Sequence, residues 1–532
     1  MMRGGLISDT ISNMRILRWI AIILFFVLVA ALSVHSLNSI NQDIGRHLKS
    51  GQIIWETKNV YKTNLFSFTE PAHPFINHHW LSEVVFYLLN GLIGLKGLIV
   101  FKAGVIVAAF FLIFKSLPKT AGGWPFLLAG IPALFIFSSR TDVRPEIFSY
   151  LFLSYFLFAI LRAKYSNEHK WLYALPILQI FWTNMHIYFA LGPALLLFFL
   201  IDRLAYQKEQ ARLVLKIFIA TCVATLINPN FIKGALAPIN ILRDYGYSIV
   251  ENQNIFFLTD YGVQLRDIYL FELSLIVLII SFVIAFKNHK KIVFEFLAAS
   301  VFTILAGKMI RNFGPYALVF LPIVTLNFAS CQPKRILSRR GVQACLLSIL
   351  ILAELLLIKS AVNNGFQRWA GRPNRFGLAI PVGAGSALNF VKENKIHGPV
   401  FNNFDIGSFL IWKLYPVRTS GSLRDPTSNG TSPDFKVFVD GRPEAYSIEF
   451  FEKIYKPMQE NPAVWKQLSE KYGINYIFFG HTDMTPWART FLSHISQNPD
   501  WPLIYLDAST AIFIKRTPEN FELIKKFQLT TK

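Results

Sequence analysis

Along the first 361 residues, long apolar runs alternate with short polar segments. A membrane-spanning helix needs about 20 mostly apolar residues at 1.5 Å rise each. Runs that reach or approach this length fall at 16–37, 94–115, 123–139, 146–161, 213–228, 268–286, 292–307, 312–330 and 342–361. The stretch 171–201 is apolar throughout but too short for two full spans, so it predicts two short helices meeting at Asn184-Met185-His186. The run 80–93 suits a helix lying on the membrane surface better than a span. Together these segments predict eleven spans. No small-residue cleavage site follows the first run, which reads as a retained span.

After Ala361 the pattern changes to short β-type runs alternating with helical ones. Strands are predicted at 400–401, 409–414, 436–440, 474–479, 503–506 and 511–514, and helices at 447–458, 463–472 and 485–495. The division is therefore a multispanning domain over 1–374, with an outer loop at 38–93, and a small α/β domain over 375–532 of ordinary size.

Composition supports this division. The chain is 53% hydrophobic and 16% charged, too few charges to coat the domains that a soluble chain of this length would form. The fold class is a polytopic α-helical membrane protein followed by a small soluble α/β domain. A net charge of +21 would suit a nucleic-acid binder. In a membrane protein, however, Lys and Arg gather in cytoplasmic loops, and no nucleic-acid partner is assigned. With the N-terminus inside, the inner segments carry 18 Lys and Arg against 4 acids, and the outer ones 11 against 10. The bias puts the N-terminus in the cytoplasm and the C-terminal domain outside. Lys102 falls within the second span, where it is expected to snorkel outward or to mark a later helix start. The cysteines are Cys222, Cys331 and Cys345, so none is available to staple the C-terminal domain.

Candidate chemistry collects in the outer loops. The first contains Asp43-Ile44-Gly45-Arg46-His47 and ends in Asn77-His78-His79-Trp80-Leu81, with Glu83 one turn on. Asp43 and His47 are four apart and share a helix face. An acid beside an imidazole suits base chemistry or a divalent cation. His78 and His79 suit anchoring at the headgroups. In the second loop, Arg140, Asp142, Arg144 and Glu146 lie within seven residues, either as an ion-pair network or as an arginine site for phosphate. Glu251 lies in the loop 228–267, and Lys308, Arg311 and Asn312 mark the entrance to the tenth span. Asn184 and His186 sit at a hairpin tip that needs polar partners. Glu354 lies alone in the last span and is given no role.

This layout resembles the GT-C superfamily of membrane glycosyltransferases, in particular bacterial members with an acid just after the first span and an interfacial helix before the second. Asp43 matches the place of the family's first-loop acid, and Asp142 that of a second functional acid, with Arg144 and Glu146 as neighbours. No D-x-D follows, since Asp43 is succeeded by Ile44 and Gly45, and no metal ligand set is assigned. The resemblance implies transfer of a sugar from a polyprenyl-phosphate donor, a membrane lipid, to a glycan, lipid or protein acceptor at the outer face of a bacterial cytoplasmic membrane. Asp43 would be the base, positioned by Glu83 or Asp142. Arg144, Lys308 and Arg311 would stabilise the departing phosphate, with His47, Arg140, Glu146, His186, Glu251 and Asn312 completing the substrate site. Two other classes are a flippase or transporter of lipid-linked or polar cargo and a non-enzymatic component of envelope-polysaccharide assembly. Transporters keep their ionisable groups near the bilayer midplane, commonly with internal repeats. Here the acids lie in outer loops and no repeat is evident.

Overall fold

The computed structural model describes residues 2–37, 43–119, 121, 123–240, 245–288, 291–330, 340–416 and 435–529. Residues 38–42, at the start of the loop predicted to be outer, and the basic segment 331–339 with Cys331, predicted to be inner, lie outside the described residues. Helices of nine or more residues are, in chain order, α1 (Met2–Ser33), α2 (Ile44–Thr57), α3 (Trp80–Ser116), α4 (Trp124–Phe137), α5 (Glu146–Ser166), α6 (Leu175–Met185), α7 (Leu191–Tyr206), α8 (Lys208–Ala224), α9 (Leu265–Lys287), α10 (Val293–Lys308), α11 (Phe313–Ser330), α12 (Arg340–Val362), α13 (Gly385–Glu393), α14 (Phe404–Leu414), α15 (Pro462–Lys471) and α16 (Pro486–Ile495).

All eleven predicted spans are helical. Among the described residues, seven helices are long and apolar enough to cross a membrane: α3, α5, α9, the greater part of α1 and α12, and α7 and α11 with the turns that precede them. The others, α4, α6, α8 and α10, have only 14, 11, 17 and 16 residues. α3 breaks at Gly94, whose φ of +65° and ψ of 179° separate 80–93 from 95–116. An extended His186 (φ −163°, ψ 145°) ends α6 and leads through the turn Ile187–Ala190 into α7. The first break falls at the predicted end of the surface run 80–93, and the second at the predicted junction Asn184-Met185-His186.

By contacts the chain forms two compact units. The first comprises Met1–Ser36, Lys96–Pro238 and Ile249–Ala379; the second comprises Leu37–Leu95, Ile239–Ser248 and Ile380–Lys532. Helix α11 is the centre of the first unit, with every residue from Phe313 to Asn327 buried. Two glycines permit close packing there: a Cβ on Gly314 would lie 2.7 Å from the Tyr150 ring, and one on Gly130 2.7 Å from Phe25. At the far end of α5 from Glu146, Lys164 Nζ bridges Asp202 Oδ1 (2.7 Å) and Glu295 Oε2 (2.6 Å), while Tyr165 donates to Glu295. This closed ion network joins the ends of α5, α7 and α10. Lys102 is not snorkelled: it is fully buried and its Nζ donates to His35 Nε2 at 3.1 Å.

The second unit is built on a four-stranded sheet of β1 (Val400–Asn402), β2 (Tyr476–Gly480), β3 (Leu503–Leu506) and β4 (Thr510–Ile514), in the order β1-β2-β4-β3. β1 and β2 run parallel and the remaining pairs antiparallel. Two predicted strands are corrected. Residues 409–414 belong to α14, which is buried on almost every side and therefore lacks the one-sided pattern that identifies a helix. Residues 436–440 form no strand of the sheet: their backbone bonds the first loop, through Val437 N to Phe66 O (3.0 Å) and Phe68 N to Val437 O (3.2 Å), and the Asn402 side chain. Phe66 accordingly sits in the hydrophobic core of this unit, beside Ile406, Phe409 and Phe478. The loop thus packs with the C-terminal residues.

Helix α2 is held against its neighbours by glycines. A Cβ on Gly45 would lie 2.7 Å from the Ser408 carbonyl oxygen, and one on Gly51 would overlap the Glu83 carbonyl oxygen. Gly51→Ala should therefore cost about 1–3 kcal/mol through overpacking and lower the melting temperature of the purified protein. Gly91→Ala has nothing within 4 Å of its new methyl group and should leave the melting temperature unchanged or raise it slightly.

Candidate functional site

In the second unit, Asp43 begins α2 but does not cap it with its side chain. Its Oδ1 accepts from Ser408 Oγ at 3.2 Å, and a Cβ on Gly441 would come within 2.5 Å of that oxygen. The acid therefore rests between the start of α2, the first turn of α14 and the segment Asp440-Gly441-Arg442. One turn along α2, His47 does not turn back to Asp43. Its Nδ1 donates to Glu83 Oε1 at 2.9 Å, and its Nε2 accepts from Arg46 Nη2 at 3.4 Å. Arg46 Nη1 lies 3.4 Å from the same Glu83 oxygen, and Asn77 Nδ2 donates to the other at 2.6 Å. Glu83 is wholly buried with both oxygens engaged, so it positions Arg46 and His47 and does not face a substrate. Burial and the Arg46 guanidinium push the His47 pKa down, which keeps the ring neutral in this role.

Beside this group, Arg442 is completely buried, grips Asp440 through Nε and Nη2 (both 2.7 Å), and donates to Asn64 Oδ1 at 2.9 Å. Tyr446 completes the shell of Asp440. This pair fixes the turn that brings Gly441 up to Asp43. Asp440 and Tyr446 are near neighbours of Arg442 in the chain, whereas Asn64 lies 378 positions away.

In the first unit, the two loops singled out in the sequence meet. Arg140 Nη2 donates to both oxygens of Glu146 (3.2 and 3.1 Å) and reaches Glu251 at 3.3 Å. Arg144 Nη1 donates to both oxygens of Glu251 at 2.8 Å. Arg311 Nη1 donates to Asn252 Oδ1 at 2.9 Å. Although burial alone would raise it, the neighbouring Arg140 and Arg144 hold the Glu251 carboxyl far below the usual range. His186 is linked to this cluster at one remove. It accepts from Ser149, and its neighbour Tyr188 donates to the Arg311 carbonyl at 3.1 Å.

Asp142 stands apart, accepting from Asn374 Nδ2 at 3.2 Å and lying 4.0 Å from His35 Nε2. The His35 ring is held by Lys102 Nζ at its Nε2 (3.1 Å) and faces the Ser36 carbonyl oxygen with its Nδ1 (3.2 Å). Asn312 bonds the Leu305 carbonyl at 2.9 Å, a structural role at the end of α10, whereas Lys308 is exposed.

The divalent cation suggested by Asp43 and His47 finds no fitting donor set. Among the described residues, no three His, Cys, Asp or Glu side chains gather as metal ligands. Glu83 and His47 already spend their lone pairs and protons on each other, on Arg46 and on Asn77.

No family model and no curated protein matches the sequence. Solved structures do match. Archaeal oligosaccharyltransferase AglB from Archaeoglobus fulgidus, in complex with an inhibitory peptide and a dolichol-phosphate, aligns with a TM-score of 0.59 at 11% identity, over 94% of this chain and 75% of that one. An Archaeoglobus fulgidus oligosaccharyltransferase in complex with zinc and sulfate aligns with a TM-score of 0.55 at 10% identity, over 93% and 73%. At such identities the likeness is one of fold alone.

Proposed function

We propose that this protein is a membrane glycosyltransferase that moves a sugar from a polyprenyl-phosphate donor to a glycan, lipid or protein acceptor at the outer face of a bacterial cytoplasmic membrane. The observation that carries the reading is the seating of Asp43. It is a half-buried carboxylate held by one hydroxyl over a glycine, with no cation bridged to it among the described residues. Such an acid is free to take a proton. In the proposed reaction an acceptor hydroxyl attacks the anomeric carbon and its proton passes to an Asp43 oxygen. The bond from that carbon to the phosphate oxygen breaks, and polyprenyl phosphate leaves with the electron pair. In the first unit, Arg140, Arg144 and Arg311 form a cationic group of the kind that holds a phosphate. Glu83 and His47 act as positioning residues that hold Arg46.

Asp43→Asn keeps the shape and the hydrogen bond to Ser408 but removes the basicity. Sugar transfer from a synthetic prenyl-phosphate sugar should fall by about 10²–10⁴-fold, with donor affinity little changed. Full transfer by this variant would remove Asp43 as the base. Uptake or flipping of the lipid-linked sugar with no covalent product, in the parent protein as well, would assign the protein to the transporter class.

The orientation is tested separately. Asn59 in the first outer loop and Lys170 in the loop after α5 are both exposed. In intact spheroplasts, Asn59→Cys should react with an impermeant maleimide and Lys170→Cys should react only after lysis. The reverse pattern would invert the proposed topology.

A further inference from the structure

We propose that the Glu251 carboxylate stands in for a phosphate, holding the arginine cluster of the first unit until a phosphate group displaces it. The inference rests on the proposed polyprenyl-phosphate donor only for the source of that phosphate.

The geometry makes Glu251 an internal ligand. Arg144 Nη1 contacts both of its oxygens at 2.8 Å, and Arg140 Nη1 contacts one at 3.1 Å. Planar guanidinium groups bind carboxylates and phosphates through the same forked arrangement, so a site built for one accepts the other. Further donors are in place. Arg140 Nε and Arg311 Nε are buried and have no hydrogen-bond partner among the described residues. A phosphate presents more acceptor oxygens than the two of a carboxylate, enough to engage them.

The two glutamates of the cluster are held very differently. Glu146 lies in the first turn of α5, only 3% exposed, and cannot leave without unwinding a span. Glu251 is carried on the turn Val250–Asn252, none of whose residues is buried. The turn is tied down by Arg311 on Asn252 and by Ile310 N to Gln253 O at 3.3 Å. Its departure leaves Arg140 still paired with Glu146. Charge favours the exchange. Arg140, Arg144 and Arg311 against Glu146 and Glu251 leave one positive charge, and withdrawal of Glu251 leaves two. A phosphate monoester carries about −1.5 to −2 at neutral pH, which is the charge of a released prenyl phosphate.

The test is binding of farnesyl phosphate to the full-length protein in nanodiscs, measured by isothermal titration calorimetry. Glu251→Gln removes the competing charge and should tighten binding about tenfold or more, whereas Arg144→Ala should weaken it by a similar factor. Unchanged or weaker binding by Glu251→Gln would overturn the proposal, as would an equal gain in affinity for farnesol. Should Glu251→Gln fail to fold, the native side chain is followed directly. Val250, 44% exposed, is changed to Cys and spin-labelled in a chain whose three native cysteines are Ser. Saturating farnesyl phosphate should increase the label's mobility, and an unaltered spectrum would refute displacement. Inorganic phosphate separates the sources. If it releases the turn as well as farnesyl phosphate does, the stand-in holds while the lipid donor of the proposed function fails.

Discussion

Burying a carboxylate completely is costly unless donors replace the water it loses. Glu83 meets that requirement with three side chains, His47, Arg46 and Asn77, drawn from α2 and from the end of the outer loop. The first turn of α3 adds the favourable end of a helix dipole. Gly51 is what lets α2 approach closely enough for the contacts to form. Because α2 is thus fixed on one side by Glu83 and on the other by Ser408 beneath Gly45, the position of Asp43 follows. The acid is placed by packing and by a neighbouring anion's needs, with little freedom of its own.

The two polar groups divide the chemistry by charge. In the second unit, Asp43, Glu83 and Asp440 gather around His47, Arg46 and Arg442. In the first, arginines outnumber acids, an environment suited to an anion.

Much of this was legible in the sequence. Apolar run length located the spans, and the interruptions at Gly94 and His186 fell where predicted. Residues 140–146, Glu251 and Arg311 were singled out in the sequence for their charge, though not their pairing. What escaped has a common physical cause. Helical spacing put Asp43 and His47 on one face, but spacing says nothing of a third residue that competes for the imidazole, and Glu83 won it. Residues 409–414 lost their helical signature because the helix is buried nearly all round. Lys102 read as a surface-seeking cation because its partner, His35, lies on a different helix end 67 positions away. Arg46 drew no attention because its partners are supplied by packing.

The second unit is assembled from stretches that lie far apart in the chain. Ser67 bonds the Phe438 carbonyl across 371 positions, and Ser408 reaches Asp43 across 365. At 5–20 residues per second, synthesis of that interval takes roughly 20–75 s. During this time the outer loop has left the ribosome without the surface that will cover Phe66. The glutamate, histidine and arginine contacts are local and can form at once, whereas the aromatic side chains must wait. The nascent loop therefore spends its first minute as an exposed hydrophobic segment beside a membrane, and its fate in the cell depends on what shelters it until the C-terminal sheet arrives.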